Sequence, residues 1–208
     1  SDVCSSDLVH SRGSGTEAIM QLMAKRKGIE YSNISYVPGS EVRATALLQG
    51  HVNATIVDST NWRIIQEKGG GKFKLLEIDN VDATDEALYA NMAFLEREQA
   101  AVDILVEELV RTWREINANP HVVTELRGKY DLLPDMPAEL VAEIDPYYES
   151  SVASGTFPNS GGGADAARAD FEFNALAGKL EGDPATLTVE DFWELGPLDR
   201  AVAKLGQG

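Results

Sequence analysis

Positive charge is scarce in this sequence. Lys and Arg together number 18 against 34 Asp and Glu, a net charge of -16 over 208 residues. A nucleic-acid binder must neutralise phosphates with a basic surface, and an acidic chain is likewise a poor partner for anionic lipid. Both partner classes are excluded on that ground. Cysteine is nearly absent: Cys4 stands alone, so the chain has no internal disulfide and no thiolate metal site. The three histidines, His10, His51 and His121, lie far apart with no zinc-ligand spacing, so no metal site is expected. Long apolar runs are missing as well. The longest stretches, such as Ala44-Thr45-Ala46-Leu47-Leu48, fall far short of a membrane span. Catalytic patterns are absent too. Ser14 sits in Gly13-Ser14-Gly15, but no Gly-x-Ser-x-Gly brackets it, and Asp170 and Glu172 are too close in sequence to argue as an acid–base pair. The expectation is a protein without catalytic residues or cofactor, and not an enzyme.

The first eight residues, Ser1-Asp2-Val3-Cys4-Ser5-Ser6-Asp7-Leu8, resemble the translation of a common short-read sequencing adapter. They are expected to be an artefact joined to a gene fragment, which makes the only cysteine non-native. A missing signal peptide then carries no information about location.

What is present divides into two textures. From Val9 to about Asn80, short strands alternate with helices, the pattern of a parallel α/β sheet. Leu8-Val9-His10 reads as the tail of a strand. Ser14 or Thr16 caps a helix that runs to Lys27, with Ile19, Leu22 and Met23 on one face and Gly28 as its stop. Residues 33–37 form a second strand, ended by Pro38-Gly39. Ser40 caps a helix through Leu48, which Gly50 closes. Residues 54–57 are a third strand, Thr60 to Lys68 a weaker helix broken by Gly69-Gly70-Gly71, and residues 73–78 a fourth strand. From about Thr84 the chain is nearly all helical. Residues 98–116 place Val102, Leu105, Val106, Leu109, Val110 and Trp113 on one stripe of a long helix. Further helices are expected over 120–130, 138–150, 163–177 and 189–203, with a flexible, turn-rich loop over 154–163. These apolar helix faces need more than four short strands to pack against: either the helices form their own bundle, or the sheet they cover is missing, the reading that the adapter-like start favours.

Three loops carry the candidate chemistry. Ser11-Arg12-Gly13-Ser14-Gly15-Thr16 lies between a strand and a helix. Its glycines admit close backbone approach, the helix start favours an anion, and Arg12 adds a fork of donors for a sulfonate, carboxylate or phosphate. It lacks the Lys-Ser/Thr ending of a nucleotide P-loop and the GxGxxG of a dinucleotide fold; a plain helix cap is the competing explanation. Gly39 and Arg43 follow the second strand, and Asp58, Asn61 and Trp62 follow the third. Ligands of parallel α/β folds bind beyond the carboxyl ends of strands, so the three loops are expected to face one cleft. Asp58 is then an acceptor for a ligand amine and Trp62 a stacking surface. Helix capping for Asp58, core packing for Trp62 and pairing with local carboxylates for Arg43 are the alternatives.

The order Ser11-Arg12-Gly13-Ser14-Gly15-Thr16, Val37-Pro38-Gly39, Arg43-Ala44-Thr45-Ala46-Leu47-Leu48-Gln49-Gly50, Val52-Asn53-Ala54 resembles the NMT1/THI5-like solute-binding proteins. Gly155-Thr156-Phe157-Pro158-Asn159, Phe171, Gly178, Leu180 and Asp191-Phe192-Trp193 extend the resemblance toward the end. It implies an incomplete two-lobed periplasmic-binding-protein fold of type 2. Its second, α/β lobe would be residues 9–80 and the helical return of the first lobe residues 81–208, with that lobe's opening βαβ units missing. The implied function is the solute-binding component of an ABC importer. Such a protein captures a small anionic or heteroaromatic solute in an interlobe cleft and passes it to membrane permease and ATPase subunits. It would be monomeric when complete and lie in the periplasm or on the extracytoplasmic face. By the same resemblance Ser11, Ser14 and Thr16 would meet the solute's polar end, with Asp58 and Asn61 as further cleft candidates. Asn53 replaces the Asp of many relatives, with little expected effect. The alternatives are an enzyme resembling the pyrimidine synthases of this fold, which use histidine and cysteine, and a ligand-sensing effector domain.

Overall fold

The computed structural model describes residues 7–31, 33–76, 83–84 and 86–206. The expected artefact therefore lies outside the described residues except for Asp7 and Leu8. Two compact units form: residues 1–85 with 169–187, and residues 86–168 with 188–208.

The first unit is built on a three-stranded parallel sheet in the order β2-β1-β3, with β1 Asp7–Val9, β2 Ile34–Tyr36 and β3 Ala54–Thr55. Leu8 pairs with Ser35 on one side and Thr55 on the other. A central parallel strand is covered on both faces and wants consecutive apolar residues. Leu8 and Val9 meet that need, 5% and 0% exposed. Their side chains point to opposite faces. Leu8 joins Ala44 and Leu47 of α2 (Ser40–Leu48), Val52, and Ile65 of α3 (Ser59–Gly69) in one core cluster. A second cluster sets Ala18 and Leu22 of α1 (Gly15–Lys27) against Phe173 and Ala177. This second contact is why residues 169–187 belong to the first unit, although they lie in the stretch expected to be a separate helical return.

The helices begin and end near the anticipated places, for the anticipated reasons. Ser14 caps α1 through its side chain and Gly28 stops it in the left-handed conformation. Ser40 does not cap α2; Gly39 holds that position, and the Ser40 hydroxyl instead accepts from the Asp58 backbone N–H at 3.0 Å. The expected fourth strand does not form over Phe73 to Leu76, while Glu77 and Ile78 lie outside the described residues. β-rich composition makes a strand only where it finds a pairing edge. Here Phe73 packs on the core of α2 and α3, and Leu75 and Leu76 stay exposed.

The second unit is helical: α4 Met92–Arg97, α5 Gln99–Ala118, α6 Val122–Tyr130, α7 Ala138–Val141, α8 Ile144–Ser154, the start of α9 (Gly163–Leu176), and α10 Gly196–Leu205. α5 and α10 are joined by Arg200–Asp103 and Lys204–Glu107 ion pairs, 2.6 and 2.7 Å long. Two expected single helices are broken. Residues 138–150 split into α7 and α8, with Pro146 in the first turn of α8, where its missing N–H is harmless. Residues 189–203 split into a 3-10 turn, Val189–Asp191, and α10, which Pro197 opens. A proline has no N–H to give the carbonyl four residues back and its ring crowds that carbonyl, so each helix breaks ahead of the proline and restarts with it in the first turn. The stripe expected on α5 is buried or half-buried at Val102, Val106, Leu109, Val110 and Trp113, whereas Leu105 is exposed and Glu107 is buried between Arg111 and Lys204. The loop over 154–163 is tied down. Asn117 donates to the Phe157 carbonyl, Arg114 Nε to the Asn159 carbonyl, and the Phe157 ring sits near Trp113 and stacks on Tyr148.

Candidate functional site

The three strands among the described residues of the first unit run parallel, so their carboxyl ends share one edge of the sheet. Residues 10–14, 37–39 and 56–58 leave that edge. From β1 the chain moves to β2 on one side and then crosses back to β3 on the other, which makes the end of β1 the topological switch point of the sheet. Hydrogen bonds tie the loops to one another. Val37 N–H donates to the Val9 carbonyl at 2.8 Å. Arg43, 4% exposed, donates from Nε to the Ile56 carbonyl at 3.0 Å and from Nη1 to the Val37 carbonyl at 2.9 Å. One guanidinium thus clamps the ends of β2 and β3. Burial is the main influence on its pKa, lowering it from the usual arginine value against the opposing pull of Asp58 and Glu41.

The glycine-rich loop after β1 is closed on itself. The Ser14 hydroxyl donates to the Ser11 carbonyl at 2.6 Å and accepts from Glu17 N–H at 3.3 Å. The Thr16 hydroxyl accepts from His10 N–H at 2.9 Å and lies 3.0 Å from the Ser14 hydroxyl. Ser11 keeps its own hydroxyl against the His10 ring. Gly13 has φ +80, a left-handed conformation that suits glycine. Gly15 opens α1 and is exposed. Arg12 is exposed too, and its guanidinium lies over the Tyr36 ring, 5.0 Å from the centroid. It makes no ion pair among the described residues. Of the two candidate arginines at this edge, Arg43 is buried and Arg12 is exposed.

After β3, Asp58 caps α3: its Oδ1 accepts from Asn61 N–H at 2.8 Å, and the Asn61 amide donates to both carboxylate oxygens. Burial pushes the Asp58 carboxyl upward, but the hydrogen bonds from Asn61 and Ser40 together outweigh it and hold the carboxyl below its usual range. Asp58 and Asn61 thus satisfy each other first. Trp62 is half-buried and packs on the Leu8–Ile65 core. Gly39 has φ +87, and a Cβ there would meet the Glu41 carboxylate at 2.6 Å.

Sequence reasoning missed Glu17. It is 4% exposed and accepts from Gly13 N–H at 2.6 Å, Tyr36 Oη–H at 2.7 Å and Lys179 Nζ at 2.7 Å. The hydrogen bond from Lys179, then those from Tyr36 and Gly13, bring its pKa down to about 2. The signal that finds it is the capping-box spacing Ser14-Gly15-Thr16-Glu17. Lys179, 162 residues away, has no local signal at all.

Among the described residues no group of His, Cys, Asp and Glu is arranged to hold a metal ion, and no helix is long and apolar enough to cross a membrane. A shallow recess of about 300 Å³ in the second unit is lined by Met92, Leu95, Val102, Pro197 and Arg200 among others. It contains none of the expected site residues, and Arg200 is already paired with Asp103.

The model of the NMT1/THI5-like family matches residues 8–122, more than half of the chain. The chain belongs to the NMT1/THI5-like family. It matches no curated protein and no solved structure. The short parallel sheet followed by a largely helical region matches the α/β, periplasmic-binding-like arrangement that the resemblance implied. NMT1/THI5-like membership is consistent with a solute-binding role in an importer and with a non-catalytic protein.

Proposed function

We propose that the protein is the solute-binding component of an ABC-type importer, taking a small anionic or heteroaromatic solute at the carboxyl edge of the β2-β1-β3 sheet. The observation that carries this reading is the convergence of the three strand-end loops, clamped by Arg43, in a chain of this family. The exposed Arg12 fork, backed by the Tyr36 ring, supplies a partner for an anionic group, and the ring adds an aromatic surface nearby. Gly15 and Thr16 add N–H groups of the α1 start, where the helix dipole favours negative charge. Ser11, Ser14, Gly39, Asp58, Asn61 and Trp62 shape the rim, most of them through bonds to the loops themselves. A permease and an ATPase would be its membrane partners, and the extracytoplasmic side its location.

The test is a thermal-shift screen of the protein against sulfonates, nitrate, carboxylates, pyrimidines and purines. A solute that binds only the folded chain raises the melting temperature with concentration, as linkage requires. Such a rise, lost on Arg12→Ala, is the expected result. A cooperatively melting protein that responds to no solute overturns the proposal.

A further inference from the structure

Glu17 does more than close a helix cap. Three donors converge on a carboxylate buried at the base of the glycine-rich loop, and each belongs to a different part of the first unit. Gly13 N–H is the backbone of the loop. The Tyr36 hydroxyl belongs to the end of β2, and its ring carries the Arg12 guanidinium. Lys179 follows Gly178, which ends α9 with φ +73, and the preceding residues Phe173 and Ala177 dock on Ala18 and Leu22 of α1. One carboxylate therefore fixes the loop backbone at Gly13 and the aromatic platform under Arg12, and one lysine from a distant segment holds that carboxylate.

We propose that Glu17 is a positioning residue for the Ser11–Thr16 loop, and that Lys179 sets the geometry of that loop through it. The proposal rests on the solute-binding reading for its purpose, but not for its test. A buried carboxylate with three donors is strongly held in its charged form. Neutralising it or removing Lys179 leaves Gly13, in its left-handed conformation, with a weaker acceptor. The Tyr36 ring loses its anchor in the same step, and the Arg12 guanidinium over it loses its support. Glu17 touches no solute in this scheme; its effect passes through Gly13 and Tyr36. The charged and titratable groups that face it are Lys179, Tyr36 and, beyond the ring, Arg12.

The experiment follows the Gly13 backbone amide by nuclear magnetic resonance in the full chain, in wild type and in Lys179→Ala, Lys179→Arg and Glu17→Gln. In wild type the Gly13 signal should follow the titration of a carboxyl with a midpoint of about 2. In Lys179→Ala the midpoint should rise toward the ordinary 4.5, and the Gly13 amide should exchange with solvent about tenfold faster, the scale of a weakened hydrogen bond to a charged group. Lys179→Arg should restore both, and Glu17→Gln should abolish the titration. The Gly28 and Gly50 amides, in the same unit but outside the cluster, should stay unchanged. A Gly13 amide indifferent to Lys179→Ala overturns the proposal, as do equal changes at Gly28 and Gly50, which would make Lys179 a general stabiliser. Should Lys179→Ala not fold, the wild-type titration decides alone: a flat Gly13 signal below pH 4 overturns the proposal. Because no solute enters this readout, an empty solute screen refutes the binding reading without touching it.

Discussion

Replacing Arg43 with methionine removes two hydrogen bonds while keeping most of the aliphatic stem. The guanidinium donates to the carbonyls of Val37 and Ile56, at 2.9 and 3.0 Å, from a side chain that is almost wholly buried. Hydrogen bonds from a charged donor are worth roughly 1.5–3 kcal/mol each, and an acceptor left buried without a partner costs a comparable amount. Water at the sheet edge can reach part of the vacated space, so the lower half of the summed range applies, about 3–4.5 kcal/mol for the pair. Lysine at this position keeps the charge but cannot span both carbonyls with a planar fork, and should recover about half of the loss. Urea unfolding followed by circular dichroism measures both variants, with the loss read as a lower midpoint at unchanged slope. A methionine variant within about 1 kcal/mol of wild type would refute the clamp, since two satisfied buried acceptors cannot be lost so cheaply. It would also return Arg43 to the pool of solute-binding candidates.

Ser14→Ala removes the side-chain cap of α1 and should cost about 1 kcal/mol in the same urea assay, with Ser14→Gly milder. Glu17 has a pKa lowered to about 2 from 4.5, so its contribution to stability is complete above pH 4.5 and is lost as pH falls through about 2; Glu17→Gln should flatten that acid limb in unfolding curves measured between pH 5 and pH 2. Phe157→Ala removes the ring set between Trp113 and Tyr148, and because that ring is only partly buried the loss should be about 1–3 kcal/mol, measured by thermal unfolding.

Much of the first unit was legible because its signals are local. Leu8-Val9 as a doubly covered strand, Ser14 and Gly28 as the limits of α1, and Gly69-Gly70-Gly71 as the stop of α3 each follow from a neighbour or two in sequence. The convergence of the three loops followed from the parallel topology alone. The failures share a different cause. The stretch over 73–78 has the composition of a strand, yet Phe73 to Leu76 found no edge to pair with, and composition does not say where an edge is. Pro146 and Pro197 were in plain view as breaks in the expected helices. Each proline withholds an N–H from the carbonyl four residues back, and that missing bond, more than the apolar periodicity around it, decides where the helix restarts. Glu17 looked like one more acid in a surplus of acids. The capping-box spacing after Ser14 marks it locally, but its ion partner Lys179 arrives from 162 residues away, and no local pattern encodes that meeting.

The most direct measurement is to map a bound solute onto the backbone amides of the labelled protein by titration. The account predicts that a solute selected by the thermal-shift screen perturbs Gly13, Gly15 and Thr16 together with Gly39 and Asp58. Those are the loops that leave the carboxyl ends of β1, β2 and β3. Perturbations confined to the second unit, around Met92, Val102 and Arg200, would contradict it and move the binding site into the helical recess.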